Sequence, residues 1–399
     1  MVDMSTITRP LKLSVVTETW PPEINGVALT LHRLVEELRT FGHPIQVVRL
    51  RQPHETQVRR PETPSADLLL RGVPIPRYPG LQMGLPALRV LGKTWRAARP
   101  DLIHIATEGP LGWAAVRIAR KLKIPVTSDF RTRFEQYSTH YGFGLLMQPI
   151  ERYLKRFHNR TAITFVPTAE LRDELDSKGY QRLEVLGRGI DTVRFSPDHR
   201  RESLRGRWGV NQDEVVILCV GRLAPEKNLS LLIRGYDRLR AEGLPVRLVL
   251  VGYGPMYDEL RRNRTDIILT GPQTGIDLSE HYASADIFGF ASLSETYGNV
   301  IPEAMASGLA VVAFDRGAAR ELLVDRETGL LAHSDTPQAF LSGLGELSRD
   351  AQLRKRLGEG ARRRSLDLGW PAIAAQFEMI VRQILEAAPS NTVINDSRD

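Results

Sequence analysis

A single cysteine, Cys219, occurs in the 399 residues. That excludes an internal disulfide framework and a multi-cysteine zinc site. Cys219 lies in the apolar run Val215–Val220 and reads as a buried structural thiol, so nothing points to an oxidising compartment. No apolar stretch approaches the ~20 residues a spanning helix needs. Met1–Lys12 lacks the apolar core of a signal peptide, and a cytoplasmic chain is expected. No Gly-x4-Gly-Lys-Ser/Thr motif is present, which disfavours a P-loop ATPase. The turn Pro21–Val27 after the first strand is not Gly-x-Gly-x-x-Gly, so a nicotinamide dehydrogenase gains little support. No Asp-x-Asp pair occurs, so neither a metal-bridged phosphate site nor any other metal or cofactor is expected. Low-complexity tracts and solenoid repeats are absent as well.

The chain is too long for one ordinary core, and two domains are the natural expectation. Hydrophobic content of 42% and charged content of 25% are those of a globular protein. The charge is uneven. Of 54 Lys and Arg and 47 Asp and Glu, the first 194 residues hold 29 and 19, leaving 25 and 28 for the remainder. A basic first half suggests an anionic partner there: nucleic acid, anionic lipid or a phosphorylated acceptor.

Short β-branched runs alternate with longer helical stretches. Strands are expected at Leu11–Thr17, Ile45–Leu50, Leu102–Ile105, Pro125–Ser128 and Ala162–Pro167, with helices at Leu29–Gly42 and Leu111–Leu122. The same grammar returns at Val215–Val220, Arg247–Val251, Ile267–Leu269, Ile287–Phe290 and Ala310–Phe314. Helices are expected between them at Leu229–Glu242, Tyr257–Arg262, Leu278–Ala283 and Pro302–Ser307. Near-continuous apolar strands spaced by helices imply parallel sheets covered on both faces, and two such series imply two doubly wound domains. The polar stretch Ile190–Arg207 reads as the boundary, giving domains 1–194 and 195–369. Trp370–Ala387 reads as a closing helix, and 388–399 as a disordered tail. Ligands of such folds bind at the carboxyl ends of the strands, which directs attention to a cleft between two facing sheets.

Three segments fall at such ends. In Glu295–Glu303, after the strand Ile287–Phe290, Gly298 permits a tight path into a helix whose first turn accommodates Pro302. Free amides of Asn299, Val300 and Ile301 would suit a diphosphate. The carboxylate of Glu303 suits a ribose diol, and Glu295 is placed to reach a sugar. In Gly221–Asn228, Arg222 and Lys227 flank a turn where two cations can neutralise a departing diphosphate. In Pro21–Val27, Gly26 opens a helix and can bring backbone amides to a phosphate.

In this order and at these separations, the segments resemble the retaining glycosyltransferases of family 4, whose two Rossmann-like α/β domains form the GT-B fold. Glu295 and Glu303 meet the family's Glu-x7-Glu signature. Val251–Pro255, Tyr282–Asp286, Ala304–Gly308 and Gly189–Phe195 match further motifs, and the resemblance spans about residues 11–385. Thr17–Val27, Tyr137–Gly142 and Leu186–Asp191 resemble bacterial glycolipid mannosyl- and glucosyltransferases that use GDP-mannose or UDP-sugars. The resemblance implies that Arg222 and Lys227 grip the donor diphosphate and that Glu303 holds the ribose. It implies that Glu295 contacts the transferred sugar, helped by Gly298–Val300, that Gly26 approaches the phosphates, and that the base sits near Gly252, Thr270 and Gly271. Arg131, Tyr137, His140 and Arg188 become candidates for sugar or acceptor contacts, and the helix Trp370–Ala387 is implied to return to the first domain.

One departure stands out. Where the family commonly has a histidine facing the donor sugar, this chain has Arg131, whose guanidinium stays charged and cannot act as a base. The resemblance implies retention of configuration. With no Asp-x-Asp pair and no evident carboxylate nucleophile, a metal-independent hexosyltransferase with front-face chemistry is expected, best matched to mannose from GDP-mannose and a lipid-linked or other glycan acceptor. A UDP-sugar-dependent transferase and a nucleotide-sugar 2-epimerase of the same fold are the alternatives. A glycogen-synthase-type polymerase is disfavoured by the short chain, and a nucleic-acid-binding protein by the lack of aromatic residues among the basic ones. For the acceptor side, Leu81–Arg99 and Leu145–Arg160 read as basic amphipathic helices suited to an anionic membrane surface.

Overall fold

The structure, a computed structural model, describes residues 9–23, 26–52, 55, 67–74, 82–130, 147–211, 213–292, 297–333 and 336–387. The chain divides into two compact units. One holds the described residues up to Pro167, Leu171–Gly187 and the chain from Ile373. The other holds Thr168–Glu170 and Arg188–Ala372.

The strands of the first unit are β1 (Leu13–Val16), β2 (Ile45–Leu50), β3 (Leu68–Leu70), β4 (Gly72–Pro74), β5 (Gln82–Gly84), β6 (Leu102–Ile105), β7 (Val126–Asp129), β8 (Ile163–Val166) and β9 (Leu183–Val185). Seven of them form a sheet in the order β3-β2-β1-β6-β7-β8-β9, parallel throughout. The other two, β4 and β5, make an antiparallel hairpin. The helices are α1 (Gly26–Thr40), α2 (Leu88–Ala97), α3 (Pro110–Lys121), α4 (Met147–His158) and, from Leu171 onward, α5 (Ala169–Ser177). In α1 the residues Leu31, Leu34, Val35 and Leu38 are all buried, the stripe expected of a helix lying on a sheet.

The expectation of a helix over Leu81–Arg99 needs correction. Its first part is the strand β5, and the helix begins only at Leu88. Pro86 separates the two, because proline has no N–H for a continuous helical ladder. On α2, Leu91 and Trp95 are core residues, and the Trp95 indole donates to Ser14 Oγ at 3.1 Å.

Polar residues at the end of β7 also belong to the core. Ser128 Oγ lies 2.9 Å from His158 Nδ1 and 3.1 Å from the hydroxyls of Thr161 and Thr164. His104 contacts Thr127 Oγ1 at 3.0 Å and Asp129 at 3.3 Å. The hydroxyls among them are hydrogen-bonded to one another or to a histidine ring, as buried polar groups generally are.

The second unit carries β10 (Val215–Val220), β11 (Val246–Val251), β12 (Ile268–Gly271), β13 (Ile287–Phe290), β14 (Ala310–Phe314) and β15 (Leu330–Ala332). They form a parallel sheet in the order β12-β11-β10-β13-β14-β15. Its helices are α6 (Glu202–Arg207), α7 (Leu229–Ala241), α8 (Tyr257–Asn263), α9 (Gly275–Ala283), α10 (Val300–Ala306), α11 (Gly317–Leu322), α12 (Pro337–Arg349) and α13 (Ala351–Leu366). Last comes α14 (Trp370–Ala387). From Ile373 onward it belongs to the first unit, where Phe377 packs on His104 and Phe165 at 5.2 and 5.3 Å between ring centroids.

The stretch Ile190–Arg207, read as the boundary, lies just after Arg188, where the main segment of the second unit begins. Part of its polarity is neutralised within the fold, where Arg205 is only 3% exposed. Its guanidinium donates to Asp286 Oδ2 at 3.0 Å and to the carbonyls of Ser284 and Glu214. A buried charge paired and hydrogen-bonded in this way looks like a loop residue in sequence.

Candidate functional site

In the second unit the strand order reverses around β10, which pairs with β11 on one side and β13 on the other. Such a switch point leaves a crevice at the carboxyl ends of the strands. After β10, Gly221 has φ 147°, Pro225–Lys227 make a 3₁₀ turn, and Asn228, at φ 51°, leads into α7. After β11, Gly252 has φ 137°.

These two loops run against each other. The Gly221 amide donates to Val251 O at 3.0 Å, and the Leu223 amide to Tyr253 O at 3.1 Å. A Cβ on Gly252 would stand 1.9 Å from Gly221 O, and one on Gly254 would stand 2.4 Å from Leu223 O. Glycine is required here for close approach and for positive φ. The Gly252 amide in turn donates to Gly271 O at 2.9 Å, which draws in the end of β12. Thr270, just before, donates its hydroxyl to Gly271 O at 3.2 Å.

The two cations differ in setting. The Arg222 side chain is 62% exposed and has Glu226 at 3.5 Å. Lys227 is half-buried, with Nζ 5.8 Å from the centroid of Phe290, the last residue of β13. Ser292 Oγ donates to Glu226 O at 3.4 Å and joins the loops after β10 and β13. The structure thus brings Lys227 to the switch point, while Arg222 lies at its solvent edge.

Glu295 lies outside the described residues, as do Arg131, Tyr137 and His140. The described residues resume at Tyr297. Gly298 has φ 91°, and α10 begins at Val300, so Pro302 is its third residue rather than its first. The expectation of three free amides is corrected for Ile301, whose N–H donates to Gly298 O at 3.1 Å. A tight turn at Gly298 folds that carbonyl back onto the helix start. No described residue accepts from the amides of Asn299 and Val300.

Arg188, a candidate for sugar or acceptor contact, sits on this segment. It donates to Asn299 Oδ1 at 2.9 Å and lies 5.4 Å over the ring of Tyr297. The Tyr297 hydroxyl, pushed up to about 12 by burial, donates to Arg188 O at 3.4 Å. Gly26 belongs to the first unit, where it opens α1.

Glu303 Oε2 accepts from the Tyr282 hydroxyl at 2.8 Å. Tyr282 is fully buried and packs on Phe195 and Phe288. In the sequence Tyr282 stands out only as the first residue of the motif Tyr282–Asp286; its place on the buried face of α9 is the signal that marks it. Burial pushes the Glu303 carboxyl up to about 7 from 4.5, with the Tyr282 hydroxyl and the charge of Arg194 pulling it back. Between pH 4.5 and 7 the folded chain keeps this proton and the unfolded chain has lost it. Stability therefore falls as pH rises through that window. In urea unfolding of the ligand-free protein at pH 5 and pH 7.5, wild type is expected to lose about 2 kcal/mol more than Glu303→Gln. Equal losses would remove the buried-acid description.

The crevice at this switch point thus combines close-packed glycines, two cations, two backbone amides with no described acceptor and the half-buried carboxyl of Glu303. The comparisons give the class. Residues 24–194 match the model described as Glycosyltransferase Family 4, and residues 200–364 match that described as Glycosyl transferases group 1. The chain belongs to glycosyltransferase family 4, and it is a hexosyltransferase. It is 31% identical over 380 residues to the GDP-mannose-dependent alpha-mannosyltransferase of Mycobacterium tuberculosis, covering 92% of this chain and 95% of that one. It is 28% identical to the alpha-monoglucosyldiacylglycerol synthase of Streptococcus pneumoniae, covering 82% and 76%. Among solved structures, Anabaena HepE in complex with UDP and glucose superposes with a TM-score of 0.70 at 18% identity, covering 94% of this chain and 100% of that one. The fold is GT-B.

Proposed function

We propose that this protein transfers mannose from GDP-mannose to a lipid-linked or other glycan acceptor with retention of configuration and without a metal ion. The observation that carries the reading is the 31% identity, across nearly the full length, to a GDP-mannose-dependent mannosyltransferase, combined with Lys227 and Arg222 at the switch point. The bond from the sugar's anomeric carbon to the diphosphate breaks while the acceptor oxygen attacks from the same face. The acceptor's proton passes to the departing phosphate oxygen. Lys227 and Arg222 offset the charge that develops on the diphosphate, and this differential stabilisation is what lowers the barrier. Glu303 accepts from the ribose hydroxyls, and the loops of Gly252, Thr270 and Gly271 border the base. The absence of an Asp-x-Asp pair supports the metal-free reading.

A UDP-sugar-dependent reaction is the second reading, favoured by the glucosyl relative from Streptococcus pneumoniae. Thermal unfolding with a panel of GDP- and UDP-sugars decides between them. A true donor at about 100 times its Kd stabilises by roughly 2.7 kcal/mol. GDP-mannose is expected to give the largest shift; a larger shift with UDP-glucose replaces mannose by glucose. Turnover is expected to survive excess chelator. Loss of turnover that magnesium or manganese restores would end the metal-free proposal.

No described helix is long and apolar enough to cross a membrane. The basic, apolar surface of the first unit suits peripheral contact with the anionic inner face of the cell membrane.

A further inference from the structure

The first unit contains a groove of about 710 Å³ that the donor chemistry does not use. Its lining includes the apolar side chains of Pro86, Leu88 and Trp113 and the arginines Arg117, Arg120 and Arg160. Arg160 lies 4.9 Å over the Trp113 ring. Partial burial and the neighbouring charges of Arg156 and Arg120 all disfavour the charged form of Arg160. None of these four arginines forms an ion pair with a described residue. Acids do reach the lining, with Glu108 and Glu18 acting on Tyr153, but a concentration of like charge not paired with them is unfavourable until an anion offsets it. Tyr153, which lines the groove, is more than 40% exposed, as are Met83 on β5, Leu85 just after it and Val90 on α2.

We propose that this groove binds one anionic phospholipid, its phosphate among Arg117, Arg120 and Arg160 and an acyl chain along Pro86, Leu88 and Trp113. A phosphodiester supplies the acceptor oxygens that guanidinium groups bind in pairs. The apolar lining requires hydrocarbon beside the charge, which inorganic phosphate lacks and a nucleic-acid backbone does not provide. The exposed apolar residues match a lipid surface, where Arg stems and apolar side chains share the interface. This rests on the peripheral-membrane reading above and sharpens it from a charged face to a discrete site.

The test uses the full-length protein and water-soluble, monomeric dihexanoylphosphatidylglycerol below its micellar concentration, followed by intrinsic tryptophan fluorescence. Dibutyrylphosphatidylglycerol, dihexanoylphosphatidylcholine and inorganic phosphate are titrated alongside. Saturable binding of dihexanoylphosphatidylglycerol is expected, about ten-fold tighter than that of the dibutyryl lipid because more methylene surface is buried. Arg117→Glu/Arg120→Glu, at two exposed positions, is expected to weaken it at least ten-fold while leaving GDP binding unchanged. Equal binding by variant and wild type, or equal binding of phosphate and the lipid, overturns the proposal. Flotation of both proteins on phosphatidylglycerol vesicles without monomer binding overturns the discrete site and leaves surface docking standing. Loss of GDP-mannose turnover with lipid binding retained would separate failure of the proposed reaction from failure of the groove.

Discussion

Lys227→Ala is expected to lower kcat by about 10²–10³-fold, the range seen when one preorganised charge-stabilising donor is removed from an active site. Its half-buried ammonium, with Phe290 beneath it, acts in a partly dehydrated place where each charge counts for more than in water. Arg222, 62% exposed and facing Glu226, is more strongly screened, and Arg222→Ala is expected to cost about ten-fold. The two variants separate the roles of position and charge. Release of nucleoside diphosphate from GDP-mannose, measured at saturating donor, reads kcat directly. KM for the donor should change less than kcat in Lys227→Ala, since the charge the lysine meets grows as the leaving bond breaks. A Lys227→Ala enzyme with wild-type kcat would remove the lysine from the chemistry.

Gly252→Ala is expected to destabilise the second unit by about 3–5 kcal/mol, at the high end for a single substitution. Two causes act together. A side chain at φ 137° is strained wherever there is space. Here there is none, because the new Cβ would meet Gly221 O at 1.9 Å. Relief requires the loop after β10 to move away from the loop after β11, breaking the bonds from Gly221 to Val251 and from Leu223 to Tyr253. That motion carries Arg222 and Lys227 with it. Thermal unfolding is expected to shift by roughly 10 °C for a unit of this size, with turnover lost in the folded fraction as well. Gly243→Ala provides the contrast: its φ is 80° and a Cβ there meets nothing within 4 Å, so only the backbone term remains. Equal losses at both positions would show that close approach of the loops is not what glycine serves at 252.

Much of the frame is legible along the chain. Strands such as Val215–Val220 and Ile287–Phe290 are continuous apolar runs because both faces of a parallel sheet are covered. The periodicity of Leu31, Leu34, Val35 and Leu38 announces α1 just as directly. Other elements were hidden for identifiable reasons. The helix α13 carries so many arginines that its buried residues Leu353, Leu357 and Ala361 do not dominate the pattern. The strand β5 has only three residues, too few for any period to show.

The sequence by itself determined the alternation of strands and helices, the glycine and cation motifs at strand ends, and through them the family. Those are local properties, carried by residues a few positions apart. Only the tertiary structure decided that Tyr282 holds Glu303, that Arg188 meets Asn299, and that Arg205 is buried against Asp286. It alone decided that Gly252 must yield to Gly221, and that the basic residues of α3 and the segment after α4 share one groove. The pairing of parallel strands through crossover helices brings residues tens of positions apart to one sheet end. No local periodicity records which of them will touch.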